Sequence, residues 1–119
     1  MAAPNIVNVS TITGKSVTGA LGTSTATLLQ NSASSNKVFK INTILVSNVD
    51  GTNSATVTVT HYDGSNDRHI AKGITVPAGS TVVLIDKNST IYLEENRHIR
   101  GDASAAGDLE YIISYEELS

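Results

Sequence analysis

The chain has 119 residues and a formal net charge of −3, with 39% hydrophobic and only 16% charged residues, no cysteine and no tryptophan. That length suits a single domain over 1-119, burying roughly 65% of the surface its unfolded chain exposes. Lack of cysteine excludes disulfide scaffolds, thiolate zinc sites, iron–sulfur clusters and a Cys nucleophile, and the acidic balance argues against a nucleic-acid partner, which needs a basic face.

Ser and Thr make up about a quarter of the chain, well above average usage. Abundant Thr and Val with little charge is strand and turn composition. No apolar run reaches the length of a membrane span, so no membrane partner is expected. The start, MAAPNIVNV, lacks the basic and apolar regions of a secretory signal.

The first predicted strand runs from Asn5 to Thr13, with Ile6, Val7, Val9 and Ile12 among polar residues. Gly14, Gly19 and Gly22 then interrupt any regular element. A helix over GALGTSTATLLQN is disfavoured by its Gly and Thr content, and a second strand is placed near Thr25 to Gln30. The segment KVFKINTILVSNV follows, Lys37 to Val49. Phe39, Ile41, Leu45 and Val49 share one parity; Val38, Ile44 and Val46 share the other. A strand apolar on both faces is sandwiched, inside the fold or against a partner.

Asp50-Gly51 is a hairpin signal. After it, ATVTVTHY alternates cleanly, with Ala55, Val57 and Val59 on one face and Thr56, Thr58 and Thr60 on the other. The loop DGSND leads into RHIAKGITV. STVVLID is continuously apolar, as a central strand would be. STIYLEE, RHIRGDA and LEYIISYEEL complete the series; in the last, Leu109, Tyr111, Ile113 and Tyr115 share a face. About eight or nine strands at near ten-residue spacing predict an all-β, antiparallel β-sandwich or jelly-roll-like fold.

Motifs for chemistry are sparse. ITGKS lacks the first Gly of a phosphate loop, since Val9 stands in its place. His61 and His69 flank Asp63 to Asp67. In a simple hairpin they face each other and, with Asp63 or Asp67, would hold a metal ion; the plainer reading is two surface histidines, and no metal or cofactor is expected. His98 is expected on the surface. Arg100-Gly101-Asp102 spells an integrin tripeptide, but it falls at a predicted strand end rather than a loop tip. TVTVT offers one rung where ice-binding arrays need many. The pairs Glu94-Glu95 and Glu116-Glu117 put adjacent carboxylates on opposite faces of a strand, which suits edge protection and not a catalytic dyad. No GxSxG or HExxH occurs, so the protein is expected not to be an enzyme. A carbohydrate-binding module is disfavoured by the missing Trp, although Tyr62, Tyr92, Tyr111 and Tyr115 remain for stacking on sugars.

Three blocks together, MAAPNIVNVSTITGKS, NSASSNKVFKINTILVSNVDGTNSATVTV and IYLEENRHIRGDASAAGDLEYIISYEEL, are similar to a family of small proteins encoded by tailed bacteriophages, especially those infecting marine cyanobacteria. The likeness spans nearly the whole chain in one order. It departs at Glu95-Asn96-Arg97, where the family often has an acidic–Gly pair. The resemblance implies a virion structural protein on the outer surface of the phage particle. The leading expectation is a capsid decoration, or cement, protein bridging major capsid protein subunits; the alternative is a tail, neck or fibre-associated protein serving assembly or host attachment. A homo-oligomer, with a trimer favoured, would suit local threefold axes. Residues 1-13 would form an N-terminal strand or arm, and the expected interface is Ile6, Val7, Val9, Val38, Ile44 and Val46.

Overall fold

The computed structural model describes residues 8–119. Nine strands follow in order: β1 (Ile12–Ala20), β2 (Ala26–Asn31), β3 (Val38–Asn48), β4 (Ala55–Tyr62), β5 (Asp67–Val76), β6 (Thr81–Ile85), β7 (Ile91–Leu93), β8 (Arg97–Ala103) and β9 (Leu109–Leu118). They form two antiparallel sheets packed as a β-sandwich. The first has the order β1-β9-β3-β6, with β7 also on β3; the second has the order β2-β8-β4-β5.

The inner faces build one core. Ala55, Val57 and Val59 of β4 and Ile99 and Ala103 of β8 meet Leu109, Tyr111, Ile113 and Tyr115 of β9 and Phe39, Ile41, Ile44 and Val46 of β3. The period-two alternation expected of β4 and β9 holds. Turns fall where left-handed backbone is supplied: Gly64, Gly79 and Asn96 have φ of 95°, 70° and 60°. Asn96 stands at the turn before β8, and Asn tolerates this region.

Three expectations are corrected. The glycines after Thr13 do not end the first strand: β1 runs through Gly14 and Gly19 in unbroken register with β9, from Ile12↔Leu118 to Ala20↔Glu110. STVVLID is not central. It forms β6, which pairs only with β3 and leaves Val83 57% exposed; its opposite residues Val82 and Leu84 pack against the core.

The third correction concerns β3. Its pairing with β9 runs in one register up to Ile41↔Tyr115 and resumes one residue out at Thr43↔Ser114. Asn42 is therefore an inserted residue. A one-residue slip exchanges the faces of every side chain beyond it. Phe39 and Ile41 point inward before the bulge, and Ile44 and Val46 after it, so the two apolar parities feed a single core.

Candidate interaction surfaces

The bulge decides where the expected interface residues lie. Ile44 and Val46 are fully enclosed, at 0% exposure, and Val38 is buried beside Leu118, its partner in register. Their burial needs no second protein: the bulge brings Ile44 and Val46 to the face that Phe39 and Ile41 already hold, and Val38 is covered on the opposite face. Val9 is half-buried in the segment ahead of β1. Ile6, Val7 and the beginning of the 1-13 arm lie outside the described residues.

What the first sheet does expose follows from register. Ile112 pairs with Leu45, and Leu45 pairs with Val83, so the three share the outer face in one row across β9, β3 and β6. Ile112 and Val83 are 43% and 57% exposed, and Val49, just beyond β3, is exposed as well. Beside this row, Thr18, Gly19, Ala20, Ser47, Glu110 and Ile112 line an open groove of about 330 Å³.

At the other end of this sheet Glu117 ties three segments together. Its carboxylate accepts from Lys37 Nζ at 2.8 Å and Lys15 Nζ at 3.1 Å. These bonds, that from Lys37 first, hold Glu117 below the usual glutamate range against the opposing effect of burial.

The outer face of the second sheet is polar and already partnered. Tyr62↔His98 and Thr60↔Arg100 are neighbours in register. The Tyr62 and His98 rings stack 5.3 Å apart and within 5° of parallel, and the Arg100 guanidinium lies 4.2 Å from the Tyr62 ring centre. Arg100 reaches Asp67 at 3.4 Å, and Thr60 donates to the same carboxylate at 3.3 Å. His98, expected on the surface, is half-covered, and its Nδ1 is buried without a hydrogen-bond partner. Desolvation, then the Arg100 charge, lowers its pKa from 6.5.

This arrangement answers the remaining motif readings. The β4–β5 hairpin closes with Tyr62↔Asp67, so His61 faces Arg68 and His69 faces Thr60. Neighbouring register positions lie on opposite sides of a sheet, and the two histidines point apart. Among the described residues no three His, Asp or Glu side chains converge as metal ligands. Arg100-Gly101-Asp102 lies within β8, flanked by β2 and β4, with Gly101 buried and Asp102 accepting from Thr25 Oγ1 at 2.8 Å. The Thr58 hydroxyl of TVTVT is engaged by the Gly73 N–H. Of the four tyrosines, Tyr111 and Tyr115 are core residues and Tyr62 is covered by His98 and Arg100; Tyr92 is the exposed one, at 47%.

Sequence reasoning missed the Tyr62–His98–Arg100 stack and the Glu117 clasp. Both join residues distant in sequence that only the pairing of β4 with β8, and of β1 and β3 with β9, brings side by side. No protein-family model matches the chain, and no curated protein matches it.

Proposed function

We propose that this protein is a non-enzymatic structural component of a phage particle, a decoration protein that binds the outside of the head and bridges major capsid subunits. The observation that carries this reading is the apolar row Ile112–Leu45–Val83 on the outer face of the first sheet, with Val49 also exposed past the end of β3. Exposed apolar side chains aligned across adjacent strands suit a protein surface that buries them. The whole-chain resemblance supplies the virion context. The mechanism is linkage: a protein that binds only the assembled shell stabilises it by mass action, and symmetric repetition multiplies a modest contact.

The test is copy number in purified virions, by quantitative mass spectrometry against the major capsid protein. A ratio near one-to-one, or a simple fraction set by capsid symmetry, supports the head assignment. A few copies per particle would replace it with a neck, tail or fibre role. Absence from the particle would overturn the virion reading.

A further inference from the structure

The four lateral edges of this sandwich are not equivalent. β2 is short, and its pairing with β8 is broken by a bulge between Thr27 and Leu29. β5 has two register shifts against β4 and carries Arg68 and Lys72. On the far side of the first sheet the edge is divided between β6, with its own register shift, and the three residues of β7. Bulges, charge and brevity are the usual protections of an exposed edge. β1 has the least of these: it spans nine residues, pairs with β9 without a shift, and bears a single charge, Lys15, which Glu117 of its own chain pairs.

The hydrogen-bond phase of β1 is fixed by its ends. Thr11 and Ser119 exchange both backbone bonds, and Leu21 N–H donates to Leu109. In an antiparallel ladder such pairs alternate. Thr13, Lys15, Val17 and Gly19 therefore bond to β9, while Ile12, Gly14, Ser16, Thr18 and Ala20 turn their N–H and C=O groups away from it. Among the described residues nothing pairs with that row.

We propose that β1 is a self-association edge, pairing antiparallel with β1 of a second copy about a two-fold axis at Ser16. In this register Ser16 meets Ser16 of the second copy, Gly14 meets Thr18, and Ile12 meets Ala20. All the outward backbone groups are then satisfied, by about ten hydrogen bonds. Side-chain chemistry fits the same register. Lys15 is neutralised by Glu117 of its own copy and lies opposite Val17 of the other, so no like charges meet directly. Gly14 presents no side chain against Thr18 of the second copy. Ile12, 61% exposed, comes to stand beside Ala20 of the second copy, at the rim of the groove that Thr18, Ala20 and Ile112 line. The two-fold supplies this contact twice. The assembly is a closed dimer with one sheet continuous across both copies, in place of the trimer that the resemblance implies, and it does not depend on the virion reading.

The test is sedimentation velocity on the purified chain from micromolar to near-millimolar concentration, with amide hydrogen exchange at both ends of the series. The expected result is a doubling of mass, accompanied by slowed exchange at Gly14, Ser16 and Thr18, while Lys15 and Val17 stay protected throughout. Ser16→Pro removes an outward N–H and none of the β1–β9 bonds, so it is expected to weaken the dimer at least about 100-fold and leave the fold intact. Ile12→Asp gives a second variant with an unaltered backbone and is expected to weaken the dimer at least about tenfold. A chain that stays monomeric, or a dimer whose Gly14, Ser16 and Thr18 amides exchange as fast as in the monomer, would overturn the proposal.

Discussion

Tyr111 packs directly onto Gly19, its partner across the β1–β9 ladder: a β-carbon at Gly19 would stand 2.8 Å from the Tyr111 hydroxyl oxygen and 3.0 Å from two atoms of its ring. The glycine is thus a packing residue within a strand. Gly14, in the same strand, faces open space. The two positions therefore respond oppositely to the same substitution. Gly19→Ala forces a buried ring to move and is expected to destabilise the fold by about 1–2 kcal/mol. Gly14→Ala gains the ordinary advantage of Ala over Gly in a strand, about 0.5 kcal/mol. Urea unfolding of both variants checks the signs.

The Glu117 clasp predicts an acid-sensitive end of the sandwich. Its carboxylate is largely covered, while Lys15 and Lys37 remain partly exposed, so solvent screens the pairs and Glu117→Gln is expected to cost about 1 kcal/mol at neutral pH. The folded pKa lies below the ordinary value of 4.5. The contribution is therefore complete above that value and is lost as pH falls through the folded pKa. Denaturation curves of wild type and Glu117→Gln should differ at neutral pH and converge in acid below 4.5. A gap that persists at low pH would assign the effect to packing instead.

Two buried amides predict large losses from small polar residues. Asn48 donates to the carbonyls of Asn53 and Val76, at 2.9 Å each, and accepts from the Asp50 N–H. Asn31 donates to the carbonyls of Lys37 and Leu93, also at 2.9 Å each, and accepts from Ser35 Oγ. Each satisfies backbone groups that the ladders leave over where a strand gives way to a loop. Asn48→Ala and Asn31→Ala should each cost about 2–4 kcal/mol, because they strand backbone partners and leave a void. Thermal unfolding would place both beside core truncations such as Ile44→Ala.

The sandwich was legible because its strongest signals are local. ATVTVTHY keeps period two along β4, and Gly64 and Gly79 punctuate loops whose backbone requires them. What escaped is nonlocal. Nothing in the residue type of Asn42 announces a bulge, yet that one insertion brings Ile44 and Val46 to the inner face that Phe39 and Ile41 already hold. The His61–His69 pairing failed for a related reason: the register set by Tyr62↔Asp67 places like-numbered parities on opposite sides. Gly19 read as a breaker because the aromatic ring that requires it arrives from the other end of the chain. Tyr62, His98 and Arg100 each look like ordinary strand residues until β4 and β8 lie side by side.

The exposed row on the first sheet separates binding from folding. Ile112 and Val83 lie on the outer face, away from the core. Replacing both with Asp should change unfolding free energy by no more than about 0.5 kcal/mol per site. The same double variant should lose association with phage heads in a co-sedimentation assay. Binding that survives the two charges would remove this face from the proposed head contact.

His98 gives the sharpest pH prediction. Its ring is held against Tyr62, its Nδ1 has no partner, and Arg100 lies over the far end of the same stack. A proton on this imidazole adds charge where desolvation and the guanidinium both oppose it; Asp67 and the Arg97 backbone favour it, and less strongly. The folded pKa is below 6.5, so the folded state binds the proton less readily than the unfolded chain. Stability is then full above 6.5 and declines as pH falls through the folded value. The His98 ring signals should titrate in NMR with a midpoint under 6.5. His98→Phe keeps a flat ring on Tyr62 while removing both the titration and the unpaired nitrogen. It should be at least as stable as wild type at neutral pH and clearly more stable in mild acid. A variant that tracks wild type across that range would show that the His98 proton carries no weight in the fold.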